Sequence, residues 1–245
     1  MGMIDKTAIS RRMCPVIFLL DTSGSMAGAP IGAVNAALEG VLPELISMND
    51  SNPDVEISVA VMTFDSGVSW PMGKGLLAPE GYVWRDLDAQ GGTSMGAAFK
   101  ELNDVLSVSH GFMNRASGSV APVLFLLTDG EPTDNYKDGL KALKVNNWYK
   151  VAARVAIGYS ESNDAVLNEF TCNSETVLHT NDPKDLKNMI RFITITSSMV
   201  ASNASGIAGN VNTSKTIDQN DTTNAVAVAI KAAPPTLSPD TDEEW

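Results

Sequence analysis

"VIFLLDTSGSMAG", Val16 to Gly28, decides how this chain is read. Five apolar residues run straight into Asp21, and three hydroxyl residues and two glycines follow within the next seven positions. A segment apolar at every position is what a strand buried on both faces looks like, and such strands belong to parallel sheets covered by helices. A carboxylate ending that strand, followed at once by hydroxyls, has two readings. It is the capped start of a helix, or it is an oxygen-rich site for a hard cation.

Working outward, strands and helices alternate. Pro30 suits the first turn of a helix. Ile31, Val34, Leu38, Val41, Leu42, Leu45 and Ile46 follow at helical spacing. Val55–Asp65 reads as a β-branched strand, "DSG" at Asp65–Gly67 as a turn, and "VSW" as a short antiparallel return. Gly73 to Leu87 is rich in Gly and Pro and reads as irregular. "QGGTSMG" opens a second helix with Met95, Phe99, Leu102, Val105 and Leu106 on one face. A polar "SGS" loop leads into "VLFLLTD", Val123–Asp129, a second apolar strand that ends in an Asp. The pattern then predicts a helix near Asn135–Val145, a strand near Val151–Tyr159, a helix near Asp164–Phe170, a strand near Glu175–His179 and a last helix from about Pro183. This is the pattern of a doubly wound α/β fold: a mostly parallel central sheet, helices on both faces, one short antiparallel strand. In such folds ligands bind at the carboxyl ends of strands where strand order reverses, and Asp21 and Asp129 both sit at carboxyl ends.

Composition changes after about Ser202. Asn203 to Trp245 is rich in Asn, Thr, Ser, Asp and Pro and carries −4 of the chain's −12. Residues 1–202 are therefore read as one domain and 203–245 as an acidic polar tail. "AVAVAIK", residues 225–231, alternates with period 2 and reads as a possible add-on strand.

With a pI of about 4.5 and Lys and Arg scattered along the chain, no phosphate-tracking surface is visible, so nucleic acid and anionic membranes are unexpected partners. No run of 18 apolar residues occurs, and nothing resembles a signal segment, so a cytoplasmic location is expected. Cys14 and Cys172 make no disulfide framework and are read as small core residues. His110 and His179 stand alone, which argues against a zinc site.

The chemistry gathers around Asp21. Asp21, Ser23 and Ser25 are spaced i, i+2, i+4 in a glycine-containing loop, so a loop curled about a point can aim all three inward. Thr93 follows two glycines at a helix start. Asp129 adds a second carboxylate. An all-oxygen shell of this kind suits Mg²⁺, Mn²⁺ or Ca²⁺ rather than a soft metal. The competing reading makes Thr22, Ser23 or Ser25 the cap of the helix near Pro30 and Thr93 or Ser94 the cap of the next. Asp65, Glu131 and Asp134 lie near the site and read as turn or helix-cap residues.

The five positions Asp21, Ser23, Ser25, Thr93 and Asp129 resemble the metal-ion-dependent adhesion site of von Willebrand factor A domains, and the resemblance extends over roughly Pro15 to Ser198. It implies a non-enzymatic binding module whose serines touch the metal directly. The threonine and the aspartates bind directly or through water, and a partner's Asp or Glu completes the shell. "PVIFLLDTSGSMAGAPI", "VAVMTFDS", "GGTSMGAA" and "LFLLTDGEPTDN" together are similar to bacterial TerY-like proteins of the tellurium-resistance type. That similarity implies a stress-response or defence setting beside a protein kinase or a PP2C-type phosphatase. Two other classes stand against it. One is a metal-independent scaffold. The other is a phosphotransfer enzyme of the haloacid-dehalogenase type, whose second carboxylate is here replaced by Ser23. No Walker-type or G-x-S-x-G motif is present.

Overall fold

The computed structural model describes residues 11–115, 118–160, 162–203 and 221–232. Six strands form one sheet: β1 (Arg12–Asp21), β2 (Val55–Phe64), β3 (Val68–Ser69), β4 (Val123–Thr128), β5 (Ala153–Tyr159) and β6 (Val177–Thr180). Their spatial order is β3-β2-β1-β4-β5-β6. All neighbours pair in parallel except β2 with β3, the short return expected at "VSW".

The apolar strands divide by period 2 into two cores, as a pleat requires. Val16, Phe18 and Leu20 of β1 join Val59, Val61, Phe125, Leu127, Val155 and Ile157 in one. That face is covered by α1 (Ala29–Ser51), α6 (Pro183–Asn203) and α7 (Asp221–Ala232). Ile17 and Leu19 join Ala60, Met62, Phe64, Leu124 and Leu126 on the other face. There the cover is α2 (Met95–Val105), α3 (Tyr136–Val145), the short α4 (Asn147–Val151) and α5 (Asp164–Thr171). By length and composition α1 would suit a bilayer, yet Val34, Ala37, Leu38, Val41 and Leu45 along it are buried in the first core.

Two helices are packed backbone to backbone. A Cβ at Gly96 of α2 would lie 2.5 Å from the carbonyl oxygen of Asn135. One at Gly139 of α3 would lie 2.7 Å from the carbonyl oxygen of Gly96. Glycine at both contacts lets α2 and α3 touch directly above the site.

Two expectations are corrected. Residues 225–231 are not a strand: they lie inside α7. The buried positions of this helix are Thr223, Val226 and Ala227, which is i, i+3, i+4 spacing, while Val228 is exposed. Four alanines between 225 and 232 favour the helix, and the period-2 alternation of Val226, Val228 and Ile230 is outweighed by packing. This helix packs on β5. The Thr223 hydroxyl accepts from Arg154 N at 3.2 Å and donates to Ala152 O at 2.9 Å, covering the start of β5. Lys231 pairs with Glu175. The remainder of the 203–245 segment lies outside the described residues. The second correction is Cys172. It is exposed, because it ends α5 in the left-handed region with φ 57°. Cys14 is fully buried as expected, and burial pushes its thiol up to about 12.

Candidate metal centre

Strand order reverses at β1, which has β2 on one side and β4 on the other. Leu20 of β1 lies opposite Leu127 of β4, so the two strands deliver Asp21 and Asp129 to the same end of the sheet. Residues more than a hundred positions apart meet there.

Asp21 is fully buried, and both of its oxygens accept hydrogen bonds. Ser23 N donates to Oδ1 at 2.8 Å, and the Thr128 hydroxyl donates to Oδ2 at 2.5 Å. Gly130 N in turn donates to Thr128 Oγ1 at 3.3 Å. The carboxylate thereby folds the loop after β1 and holds the residues after β4. Beyond it the hydroxyls line up. Ser23 Oγ and Ser25 Oγ lie 3.0 Å apart, and Ser25 Oγ donates to Asp129 Oδ1 at 2.8 Å.

Thr93 arrives on the loop that precedes α2. Its amide donates to Thr133 Oγ1 at 3.1 Å, and Thr133 N donates to Thr93 O at 2.9 Å. Its own hydroxyl has no hydrogen-bond partner among the described residues and faces the residue after Asp129: a Cβ on Gly130 would lie 3.9 Å from Thr93 Oγ1. Gly24 N donates to Gly91 O at 3.1 Å and Gln90 N to Thr22 O at 2.8 Å, tying the Thr93 loop to the Ser23 loop. Gly91 has φ 75°, and a Cβ there would strike Ser66 Oγ at 2.5 Å, so this approach needs glycine twice over. Three loops thus bring all five sequence-predicted residues together.

The capping reading fails at both helices. The residue before α1 is Gly28, with φ 86°, and no side chain caps it. Ser94 stands at the cap position of α2 and makes no side-chain cap bond. The first amides of α2, Gly96 N and Ala97 N, are met instead by the Asp134 carboxylate at 2.7 and 2.9 Å. Asp134 is therefore a helix cap supplied from another loop. Asp65 closes a turn by accepting from Gly67 N. Glu131 does neither: it accepts from Asn163 and links two loops at the surface.

Electrostatically the site is an uncompensated pair of acids. Burial raises the Asp21 carboxyl above the usual carboxylate range, its hydrogen bonds from Thr128 and Ser23 pull it back, and the charge of Asp129 pushes it up again. Burial also raises Asp129, against the bond from Ser25. Among the described residues no Lys or Arg pairs with either. Two ionised carboxylates held out of water without a counter-charge are costly, and a cation is the group that relieves them. The donors fit one, since they are hydroxyl and carboxylate oxygens with no sulfur or imidazole between them.

The sequence profile of the von Willebrand factor type A domain matches residues 16–192. The chain belongs to this family. Among curated proteins, this von Willebrand A domain is similar to inter-alpha-trypsin inhibitor heavy chain H1 of Sus scrofa, 30% identical over 133 residues, which is 53% of this chain and 14% of that protein. Among solved structures it is similar to proximal thread matrix protein 1 of the mussel byssus, in the form described as having a zinc-occupied MIDAS motif. The TM-score is 0.56 at 17% identity, over 76% of this chain and 48% of that one. A von Willebrand factor type A protein from Catenulispora acidiphila gives 0.54 at 20% identity, over 78% and 43%. This chain therefore spans less than half the length of each, and at these identities the structural likeness speaks for the fold.

Reading the sequence missed three supports of this von Willebrand A domain's site. They are Thr128 beneath Asp21, Thr133 beneath Thr93, and Ser66, whose hydroxyl accepts from Gly92 N at 3.1 Å. Thr128 carried a usable signal, a lone hydroxyl at the end of an apolar strand beside the Asp21 strand. The other two reach the site only through the folded loops.

Proposed function

We propose that this domain is a protein-binding module that works through a divalent cation. Ser23, Ser25 and Thr93 supply neutral oxygens, and Asp21 and Asp129 supply charge directly or through water. The observation that carries this reading is the continuous line Ser23–Ser25–Asp129, buried at Ser23 and Asp129, open to solvent at Ser25, and capping no helix. Held by these residues, a divalent ion would supply the Lewis acidity that attracts a carboxylate from a partner protein. The hydroxyl oxygens suit this, because they add ligands without adding negative charge, and the two carboxylates do no more than balance the ion. Mg²⁺ or Mn²⁺ is the proposed ion, with Ca²⁺ as a further oxygen-seeking candidate. The zinc of the mussel protein makes Zn²⁺ the competitor to measure.

An enzymatic role of the haloacid-dehalogenase kind would need Asp21 as nucleophile. Its carboxylate is fully buried with both oxygens engaged, so it is poorly presented for attack. The TerY-like resemblance leads us to propose a cytoplasmic stress-response or defence setting, with a protein kinase or PP2C-type phosphatase as the partner class.

Calorimetric titration of chelator-treated protein with Mg²⁺ and Mn²⁺ tests the site. One site is expected, lost in Asp129→Ala and in the double variant Ser23→Ala, Ser25→Ala. Equal binding by wild type and variants would overturn the assignment. Partner capture should vanish in EDTA and in Thr93→Ala, and return with metal for the wild type alone. Capture that ignores both would favour a metal-independent scaffold.

A further inference from the structure

The loop that supports Thr93 runs directly into α3, and α3 carries a local excess of positive charge on an acidic chain. Lys137, Lys141 and Lys144 are all exposed, at i, i+4 and i+7. That spacing places them within one narrow arc of the helix. Gly139, Leu140 and Leu143 face the other way, into the second core. In sequence these lysines look scattered; helical periodicity gathers them. Tyr136 to Lys150 holds four lysines against one aspartate, in a chain of net charge −12.

The three lysines are also unspent. Lys74, Arg115, Arg191 and Lys231 are paired with carboxylates. Lys137, Lys141 and Lys144 form no ion pair among the described residues. The Asp138 carboxylate beside them is engaged by Asn135 at 2.7 Å. An exposed basic stripe on an acidic protein, left unneutralised, is complementary to an acidic surface.

Its position says which surface. Thr133 accepts from Thr93 N, Asp134 caps α2, and Lys137 is the second residue of the helix that follows. The stripe starts on the first turn of the helix that follows Thr133 and Asp134 and extends about 10 Å along the helix axis. We propose that it is the second half of the partner-binding surface. A protein segment that places one carboxylate on the cation carries further Asp or Glu side chains onto Lys137, Lys141 and Lys144. This rests on the metal-bridged reading of the site. Nucleic acid fits less well. About 10 Å spans roughly three phosphates of one strand, no arginine contributes a planar fork, and the rest of the surface repels a polyanion.

The test uses the full chain and a fluorescein-labelled oligo-glutamate peptide, with Mn²⁺ or EDTA, at low and high salt. Changing the three lysines together to glutamate should weaken peptide binding about tenfold or more at low salt, with a smaller gap at high salt. Calorimetric Mn²⁺ binding should be unchanged, and changing the three to arginine should keep peptide affinity. Peptide affinity unaffected by the glutamate changes would overturn the stripe. If that affinity is still lost in EDTA, the metal reading survives alone. Affinity lost on lysine reversal but indifferent to EDTA would overturn the metal reading and leave the stripe as the docking site. Lysine-dependent binding of duplex DNA or of phosphatidylserine vesicles, with none of oligo-glutamate, would overturn the assignment to a protein partner.

Discussion

Asp129 sits between two demands. To hold the proposed cation it would have to stay ionised, and it is kept in a pocket that disfavours the ionised form. A carboxyl whose folded-state pKa is raised contributes stability that is complete below its unfolded pKa and lost as pH rises through the folded one. At neutral pH the metal-free protein therefore carries an unfavourable charge at Asp129, and Asp21 adds to it in the same sense. Asp129→Asn removes that charge and keeps an oxygen for the Ser25 hydroxyl. In EDTA at neutral pH, this variant should melt higher than the wild type. The gap should close as pH falls through the carboxylate range, where the wild-type carboxyl takes up its proton. With saturating Mn²⁺ the order should reverse, because only the wild type gains from the ion. Differential scanning calorimetry at several pH values reads all three outcomes; a variant that melts below wild type in EDTA at neutral pH would count against the uncompensated charge.

At the scale of elements, the closeness of α2 and α3 holds the Thr93 loop in place. Gly96→Ala puts a methyl group 2.5 Å from Asn135 O and 2.9 Å from Tyr136 Cα, and backbone on both sides cannot turn aside. The expected loss is about 1–3 kcal/mol in chemical denaturation, as for overpacked contacts generally. Mn²⁺ affinity should fall as well, because α3 follows directly from Asp134 and Thr133. Gly32→Ala is the control: nothing lies within 4 Å, the site is exposed in α1, and a gain of about 0.5–1 kcal/mol is expected. Most elements were legible in the sequence because each signal was local. Unbroken apolar runs marked β1 and β4, and the 3.6-residue period marked α1, α2 and α6. The five candidate residues stood out because their type and order form a motif. The failures were tertiary in origin. Residues 225–231 alternate like a strand but pack through Thr223, Val226 and Ala227. The Asp134 cap on α2 joins residues 37 and 38 apart. The lysine stripe needed α3 to be seen as a helix with one side already buried.

For the molecule as a whole, α7 completes the cover of β5. β6 is only four residues long and pairs with β5 from Ala156 onward, so the first part of β5 has no strand on that side. Thr223 fills in by bonding Arg154 N and Ala152 O. Ending the chain before Asp221 removes those bonds and uncovers the buried faces of Val226 and Ala227. Such a truncation should lower the melting temperature and raise the tendency to associate, since an uncovered strand edge recruits other strands. Thr223→Val should cost about 1–3 kcal/mol by leaving buried backbone groups unmatched. A truncated protein as stable and monomeric as the full chain would show α7 to be dispensable.

The pairing of Ser25 with Asp129, and of Thr128 with Asp21, spans more than a hundred residues of chain. These contacts exist only after β1 and β4 lie side by side. Until then the oxygens that would surround an ion are dispersed through an unfolded coil. A cation held by these oxygens would consequently play no part in starting the folding of this protein; it would arrive once the sheet is closed. Its influence would fall on the way out rather than the way in. Added metal should leave the refolding rate where it was and slow unfolding, so the ion acts as a clasp on a structure already complete.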